Sequence, residues 1–400
     1  MSILDVFALL GGVGLFLYGM MQMSDGLKNA AGDHLRIILE KATRNRVVSV
    51  LVGVLVTLMI QSSSATDVMV IGFVNSGLMN LSQALGVIMG ANIGTTVTAQ
   101  LTAFNLSAYA PVILFVGAVM YLFMKKAQVR YVGSVIMGFG MLFEGIALMK
   151  AAIVPMSETP EFVAMLRGIS NPAAALLFGL AFTALVQSSS SSIAIFQTFA
   201  IQGILDYQTT VYLIIGAAVG SVTPNLLASL TTNRNGKRSA LLNLIFNLIR
   251  ACILMLLITV FPRVLTLIQS LAPGDIGRQI AHTHTLFAIF AVLVELPLSN
   301  LIVRLSRKML PVLPSETQKA EHQRLVYLTQ LDTIPVAVAL SQAKLEIVRM
   351  GKFAERNLRT AIDCVLERDE EKRRQVLETE AVVDYLDGQI TQALINMRYH

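Results

Sequence analysis

Long apolar runs separated by short polar breaks fill the first three quarters of this 400-residue chain. Runs near 3–24, 82–103, 108–124, 131–150, 208–230, 239–262 and 279–303 predict membrane-spanning helices. Four other runs are shorter: 47–60, 66–79, 172–186 and 191–204. At 1.5 Å per residue, about 14 residues make roughly 21 Å of helix, short of a hydrocarbon core of ~30 Å. The short runs come in pairs, each pair flanking a serine-rich tip, Gln61-Ser62-Ser63-Ser64 in one and Gln187-Ser188-Ser189-Ser190 in the other. Two short helices meeting at a polar tip predict a re-entrant hairpin that enters and leaves on one side of the bilayer.

The two tips stand 126 residues apart, and the same offset relates much of the surrounding chain. Gly12, Gly14 and Gly19 fall on Gly138, Gly140 and Gly145, and Gly53 and Thr57 fall on Gly179 and Thr183. The run Gly90-Ala91-Asn92-Ile93-Gly94-Thr95 falls on Gly216-Ala217-Ala218-Val219-Gly220-Ser221. A constant offset over so long a stretch predicts a duplicated unit, with halves at 1–125 and 126–310. Each repeat has three full crossings, an odd number, since hairpins do not change sides and the second half carries an extra C-terminal span beyond its repeat, so the second copy is expected upside down. Loop charge agrees. Lys28, Arg36, Lys41, Arg44 and Arg46, then Lys125, Lys126 and Arg130, then Arg234, Lys237 and Arg238, and finally Arg304, Arg307 and Lys308 all fall on one side. The positive-inside rule makes that side cytoplasmic. The first tip then approaches from the cytoplasm and the second from outside.

Composition supports the class. Apolar residues make up 54% of the chain and charged residues 14%, against roughly a quarter charged in soluble domains. Asp67 is the one charged residue between Val47 and Met124, and Asp206 the one between Gly168 and Asn233. The net charge of +6 hides a division: residues beyond 314 hold 12 Lys and Arg against 14 Asp and Glu, so the excess belongs to membrane-flanking loops. No clustered basic patch for nucleic acid is visible. Cys252 and Cys364 have neither metal spacing nor a disulfide pattern. The N-terminus lacks a basic region and a small-residue cleavage site, so the first apolar run is expected to remain as a helix. The expected fold is an all-α polytopic membrane protein: an inverted-topology repeat with two re-entrant helical hairpins, followed by a small C-terminal helical bundle.

A helix broken inside a bilayer leaves N–H and C=O groups that must be met by protein or water. Serine hydroxyls at the break can cap the next half-helix, and Ser64-x-x-Asp67 has the form of a capping box with Asp for Glu. The N-terminus of that half-helix, with hydroxyl donors beside it, suits a small oxyanion. Neither stretch around the tips holds Lys or Arg. A helix dipole supplies only about half a charge, so a divalent oxyanion there calls for cations, and hydroxyls, amides and freed carbonyls suit sodium. Ser, Thr and Gly motifs also serve helix packing. Two copies at one offset, in paired short helices, favour a binding site.

The paired QSSS motifs, each followed some 25 residues later by Gly-x-x-(Ile/Val)-Gly-(Thr/Ser), resemble the type II sodium–phosphate cotransporter family over about residues 1–310. The resemblance implies sodium-coupled movement of inorganic phosphate, an elevator-like motion of the hairpin domain, a homodimer and no enzymatic activity. It places substrate at Gln61, Ser62, Ser63, Ser64, Gln187, Ser188, Ser189 and Ser190. Sodium is expected at Thr66, Asp67, Asn92, Thr95, Thr96, Ser191, Ser221 and Thr223. No organic cofactor is expected. Ala218 and Val222 depart from the first copy's Asn92 and Thr96, which puts the number of sodium ions in question. Asn75-Ser76-Gly77 stands where some animal members carry an acidic residue linked to charge-carrying transport. Asp67 is read as a helix cap or a cation ligand. Rival readings are another small oxyanion or a dicarboxylate, or a phosphate sensor without flux; direction and stoichiometry are not encoded in residue types.

Three further intramembrane charges, Glu144, Arg250 and Glu295, are costly in lipid and are expected to face protein, Arg250 pairing with a carboxylate. A minority reading gives Glu144 a proton-coupling role. His282 and His284 are expected at the interface. Beyond Pro311, a capping box at Ser315-x-x-Gln318, a turn at Asp332 to Pro335, and helices over 335–367 and 369–397 predict a cytoplasmic bundle over 315–400. This tail resembles part of a PhoU domain, whose acidic metal pattern Glu380 and Asp384 match. The expected setting is a bacterial inner membrane with the C-terminus in the cytoplasm.

Overall fold

The computed structural model describes residues 3–31, 45–75, 79–104, 106–157, 171–311, 325, 327 and 336–397. Among them all regular structure is helical, and the chain divides into two units, Met1–Leu310 and Pro311–His400. In the first unit, α1 (Ile3–Ala31) lies against α7 (Ala127–Ser157), which also packs on α6 (Ala110–Phe123). Glycines set the approach of α1 and α7. A Cβ placed on Gly12 would stand 3.1 Å from the Gly145 carbonyl oxygen, and one on Gly138 2.6 Å from that of Gly19. Shifting each residue by the 126-residue offset turns the first contact into the second.

The expected short helices form with the expected lengths. They are α2 (Arg46–Ile60) and α3 (Ser63–Asn75), then α8 (Pro172–Val186) and α9 (Ser189–Ile201). Asn45 caps α2 by accepting from the Val48 N–H at 2.8 Å, and its counterpart Asn171 caps α8 through Ala173 at 2.9 Å. The Gly-rich segments interrupt the next helices. α4 (Leu81–Gly94) runs into α5 (Thr96–Thr102) across Thr95, and α10 (Tyr207–Gly220) into α11 (Thr223–Ser229) across Ser221 and Val222. Asn80 and Asp206, again 126 residues apart, cap α4 and α10.

α2 packs on α4 and α8 on α10, again through glycine. A Cβ on Gly90 would lie 2.0 Å from the Val50 carbonyl oxygen, and one on Gly216 2.0 Å from that of Leu176. Contacts also cross between the halves: α3 meets α11, and α9 meets α5, which is the same contact after the offset is applied. The third helices break this correspondence. α12 (Arg234–Val260) packs against α3, α4 and α11, whereas α6 stays on α7 at the periphery. α14 (Ile276–Glu295) lies against α5, α9 and α10, so the second hairpin is backed by a helix from beyond the repeat.

Among the described residues, five helices are long and apolar enough to cross a bilayer, or six if one bent pair counts. That pair revises the expected span at 279–303. It is α14 followed by α15 (Ser299–Met309), turned by 79° about Leu296-Pro297-Leu298, where proline removes a helix donor. α13 (Arg263–Gln269) joins α12 to α14. Outward-facing Phe7, Leu10, Val112, Phe115 and Leu177 are exposed, as suits lipid. Buried Val56, Ile60, Val70, Leu85 and Ile88 form a core with Leu242, Phe246 and Val292, which fixes the first hairpin to α12 and α14.

The second unit contains α16 (Val336–Glu367) and α17 (Glu370–Met397), a helical hairpin whose turn is held by the Asp369 carboxylate accepting from Glu371 N–H at 2.8 Å. Ala343, Val382, Leu386, Ile390 and Ala393 are its core. The expected features at Ser315 to Gln318 and Asp332 to Pro335 lie outside the described residues.

Gly90→Val forces backbone to move against Val50, and overpacking of this kind costs about 1–3 kcal/mol. Thermal unfolding in detergent should show a clear loss. Gly72→Ala in α3, where a Cβ meets nothing within 4 Å, should match or slightly exceed the parent, by at most ~1 kcal/mol from helix propensity.

Candidate functional site

Both serine-rich tips are helix breaks of one construction. Gln61 and Gln187 end α2 and α8 in the left-handed region, at φ 57° and 58°, a conformation that non-glycine residues adopt rarely. Each turns the chain so that its N–H still reaches back to the threonine four residues earlier, Thr57 at 2.7 Å and Thr183 at 2.8 Å. Ser62 then accepts from Ala65 N–H at 3.2 Å, and Ser188 from Ser191 N–H at 3.3 Å. Ser62 and Ser188 therefore cap α3 and α9. The cap expected from Ser64 and Asp67 does not form, because the Asp67 carboxylate points to other helices.

The carbonyls released at the first break are also met. Ser24 of α1 donates to the Ile60 carbonyl at 2.7 Å, and the Gln61 side-chain amide donates to the Leu58 carbonyl at 2.8 Å. The Gln61 side-chain oxygen accepts from Thr98 of α5 at 3.2 Å, tying the tip to the second broken helix. Among the described residues, the hydroxyls of Ser63, Ser64, Ser189 and Ser190 take no hydrogen bond. They sit in the first turns of α3 and α9, half-buried in the first and buried in the second.

The residues expected to bind cations are distributed around these breaks. The Thr66 and Thr57 hydroxyls share a hydrogen bond of 2.9 Å. Thr95 and Ser221 donate to carbonyls of their own helices, Ala91 at 3.0 Å and Ala218 at 2.7 Å, which leaves their oxygens as acceptors. Thr96 is linked to Thr285 of α14 at 3.1 Å, and the Ser191 and Ser188 hydroxyls lie 2.9 Å apart. Thr223 opens α11, half-buried. Asp67 is 4% exposed, and one carboxylate oxygen accepts from the amides of Asn225 and Asn243, each at 2.8 Å.

Arg250 meets the expected carboxylate, Glu295, through charge alone and without a close contact. It donates to the Asn92 side-chain oxygen at 3.0 Å, and it forms no ion pair among the described residues. A basic side chain from α12 thus reaches the Gly-Ala-Asn-Ile-Gly-Thr segment, although none occurs in the sequence around the tips. Glu295 is fully buried, and neither carboxylate oxygen has a hydrogen-bond partner. His284 is buried on α14, and its Nδ1 is also without a partner. Glu144 is half-buried on α7. Asn243, Asn247 and Arg250 follow i, i+4, i+7 spacing, a one-face polar stripe that would have marked α12 as part of the site. In the tail, Glu380 accepts from Asn357 at 3.0 Å, and among the described residues no three acidic, His or Cys side chains gather as a metal set.

A helical membrane protein with two matched helix breaks and buried polar side chains between them has the form of a small-solute transporter. The chain belongs to the Na+/Pi-cotransporter family, whose pattern matches residues 15–151 and again 159–294. The PhoU domain matches residues 347–400. A Salmonella typhimurium protein named "Putative inorganic phosphate export protein YjbB" is 26% identical over 88% of this chain and 64% of its own length. "Uncharacterized protein YqeW" of Bacillus subtilis is 27% identical over 74% of this chain and 95% of its own. "Sodium-dependent phosphate transport protein 2A" of Rattus norvegicus is 36% identical over 26% of this chain and 16% of its own. The chain therefore spans somewhat under two-thirds of the YjbB length. No solved structure matches it.

The breaks differ in one testable respect. Thr57 shares its hydroxyl with Thr66, whereas the buried Thr183 hydroxyl has no partner. Thr57→Val should cost about 1 kcal/mol, and Thr183→Val should be neutral or stabilising. Paired unfolding curves in detergent measure the difference.

Proposed function

We propose that this chain is a secondary transporter that couples sodium ions to the movement of inorganic phosphate across a bacterial inner membrane. The observation that carries this reading is the doubled break. At positions 126 residues apart, the backbone turns through a left-handed glutamine, a serine caps the next helix, and two further serines stand in its first turn. Gln61, Ser62, Ser63 and Ser64 bind phosphate from one side, and Gln187, Ser188, Ser189 and Ser190 from the other. Helix N-termini supply N–H donors and partial positive charge. Thr66, Asp67, Asn92, Thr95, Thr96, Ser191, Ser221 and Thr223 provide oxygen ligands for sodium, whose charge balances the anion. Arg250 adds fixed positive charge through Asn92.

In this reading the two halves are an inverted repeat with re-entrant hairpins. The contacts that exchange under the offset support it: Gly12 with Gly145 against Gly138 with Gly19, and α3 with α11 against α9 with α5. The hairpins α2–α3 and α8–α9, with α4 and α10 packed on them, move as an elevator-like domain against α1, α6 and α7, in a homodimer whose C-terminal tail lies in the cytoplasm. Export, named for one relative, and sodium dependence, named for another, are compatible, because ion and phosphate gradients set the direction of a coupled carrier.

Purified protein in proteoliposomes should move radiolabelled phosphate when a sodium gradient is imposed and stop when the gradient is collapsed. Ser63→Ala and Ser189→Ala should each lower flux at least about tenfold, the loss expected when roughly 1.4 kcal/mol of substrate interaction disappears. Sodium-dependent phosphate binding without flux would overturn the transporter reading, and unchanged flux and affinity in both variants would leave the serines as packing groups.

A further inference from the structure

The strongest unassigned feature is a knot of four polar side chains between three helices. Asp67 of α3 accepts at one carboxylate oxygen from Asn225 of α11 and Asn243 of α12, each at 2.8 Å. Asn247, one turn along α12, donates to the Asn243 side-chain oxygen at 2.7 Å. All four are buried, with Asn225 and Asn247 fully so. Their amides donate inside the knot, but three of their acceptor oxygens stay uncommitted. Asp67 Oδ1, Asn225 Oδ1 and Asn247 Oδ1 are each buried without a hydrogen-bond partner.

Burying one unpartnered acceptor is costly, and burying an uncompensated carboxylate is costlier still. Three such oxygens in one linked cluster, with no ion pair to Asp67 among the described residues, form a set of oxygen ligands suited to a cation. Asn225 and Asn247 spend N–H groups inside the knot, on Asp67 and on Asn243, and leave their own oxygens uncommitted. Carboxylate and amide oxygens are hard ligands, suited to alkali and alkaline-earth ions. Charge chooses between these. One carboxylate neutralises one monovalent ion, whereas a divalent ion would leave a net positive charge in a low-dielectric interior.

The geometry points to a monovalent, sodium-class cation site formed by Asp67, Asn225 and Asn247, with Asn243 positioning the other three. It deepens the sodium-coupled reading above and rests on it. Asn225, Asn243 and Asn247 were not among the ligands expected from the sequence. The site also has a mechanical consequence. Asp67 belongs to the first hairpin, while the asparagines belong to α11 and α12, so an ion here clamps that hairpin to the second half of the molecule.

Binding can be read without phosphate, by thermal unfolding of the full chain in detergent as sodium chloride replaces choline chloride at constant ionic strength. Sodium should raise the midpoint of the parent protein. Asp67→Asn should weaken the apparent sodium affinity at least about tenfold, and Asn247→Leu should weaken it in the same direction. Asn225→Leu serves the same purpose if either variant fails to fold. The site is overturned if sodium leaves the parent unchanged, if the variants keep the parent's sodium dependence, or if the midpoint follows pH and ignores sodium. Because phosphate is absent, loss of the phosphate-transport reading would leave a sodium-dependent midpoint standing. Sodium-driven flux that ignores Asp67 would remove this site alone.

Discussion

A helix that breaks inside the packed interior of a membrane protein leaves backbone donors and acceptors that need partners, and both serine-rich breaks are arranged around that constraint. At the first break, the left-handed Gln61 keeps its own N–H bonded to Thr57, Ser62 caps the next helix, and Ser24 reaches across from α1 to the Ile60 carbonyl. These bonds stop the chain without stranding it. The neighbouring helix must come close for this to work. Gly90 and Gly94 allow α4 to touch the α2 backbone, and Gly216 and Gly220 do the same for α10 and α8. A close glycine seam and a satisfied break are thus two parts of one solution. The solution leaves a few hydroxyls and N–H groups uncommitted at the tips, and these are the groups available to a small solute.

The backbone device is repeated faithfully, but the chemistry around it is not. The first half has Asp67, Asn92 and the Thr57–Thr66 pair, and receives Arg250, Asn225 and Asn243 from the second. The second half has Ile193 and Ala218 where the first has Asp67 and Asn92, leaves Thr183 unpartnered, and anchors its hairpin through Gln197, which donates to the carbonyls of Ala99 and Gly277 at 3.1 and 2.8 Å. Duplication preserved the geometry of two tips and released the side chains for unlike roles. One half can hold charged partners while the other stays neutral. The tail is a separate helical unit, joined to this account only by the family it matches.

Much of this was readable from local pattern. Short paired runs and the 126-residue offset are encoded close in sequence, and short helices form on them, although Ser63–Asn75 and Ser189–Ile201 lie shifted toward the tips from the expected 66–79 and 191–204. Local pattern misled where tertiary contacts decide. Ser64-x-x-Asp67 has the spacing of a cap, yet asparagines from α11 and α12 give the carboxylate better partners than its own helix start. Apolar continuity over 279–303 concealed the bend at Pro297. Arg250 lies 158 residues from Asn92, and no short-range rule predicts that contact. The polar stripe of Asn243, Asn247 and Arg250 was present in the sequence and periodic, and only its meaning required the fold.

The central claim is that the two tips approach a common site from opposite sides of the membrane. Val47 and Ala173 occupy equivalent, exposed positions at the bases of the two hairpins. With the native Cys252 and Cys364 replaced, single cysteines at these positions can be tested with a membrane-impermeant thiol reagent, on intact cells and on inside-out vesicles. Val47→Cys should react only when the cytoplasmic face is presented, and Ala173→Cys only from outside. Labelling of both positions from the same side would contradict the inverted arrangement and the two-sided site that depends on it.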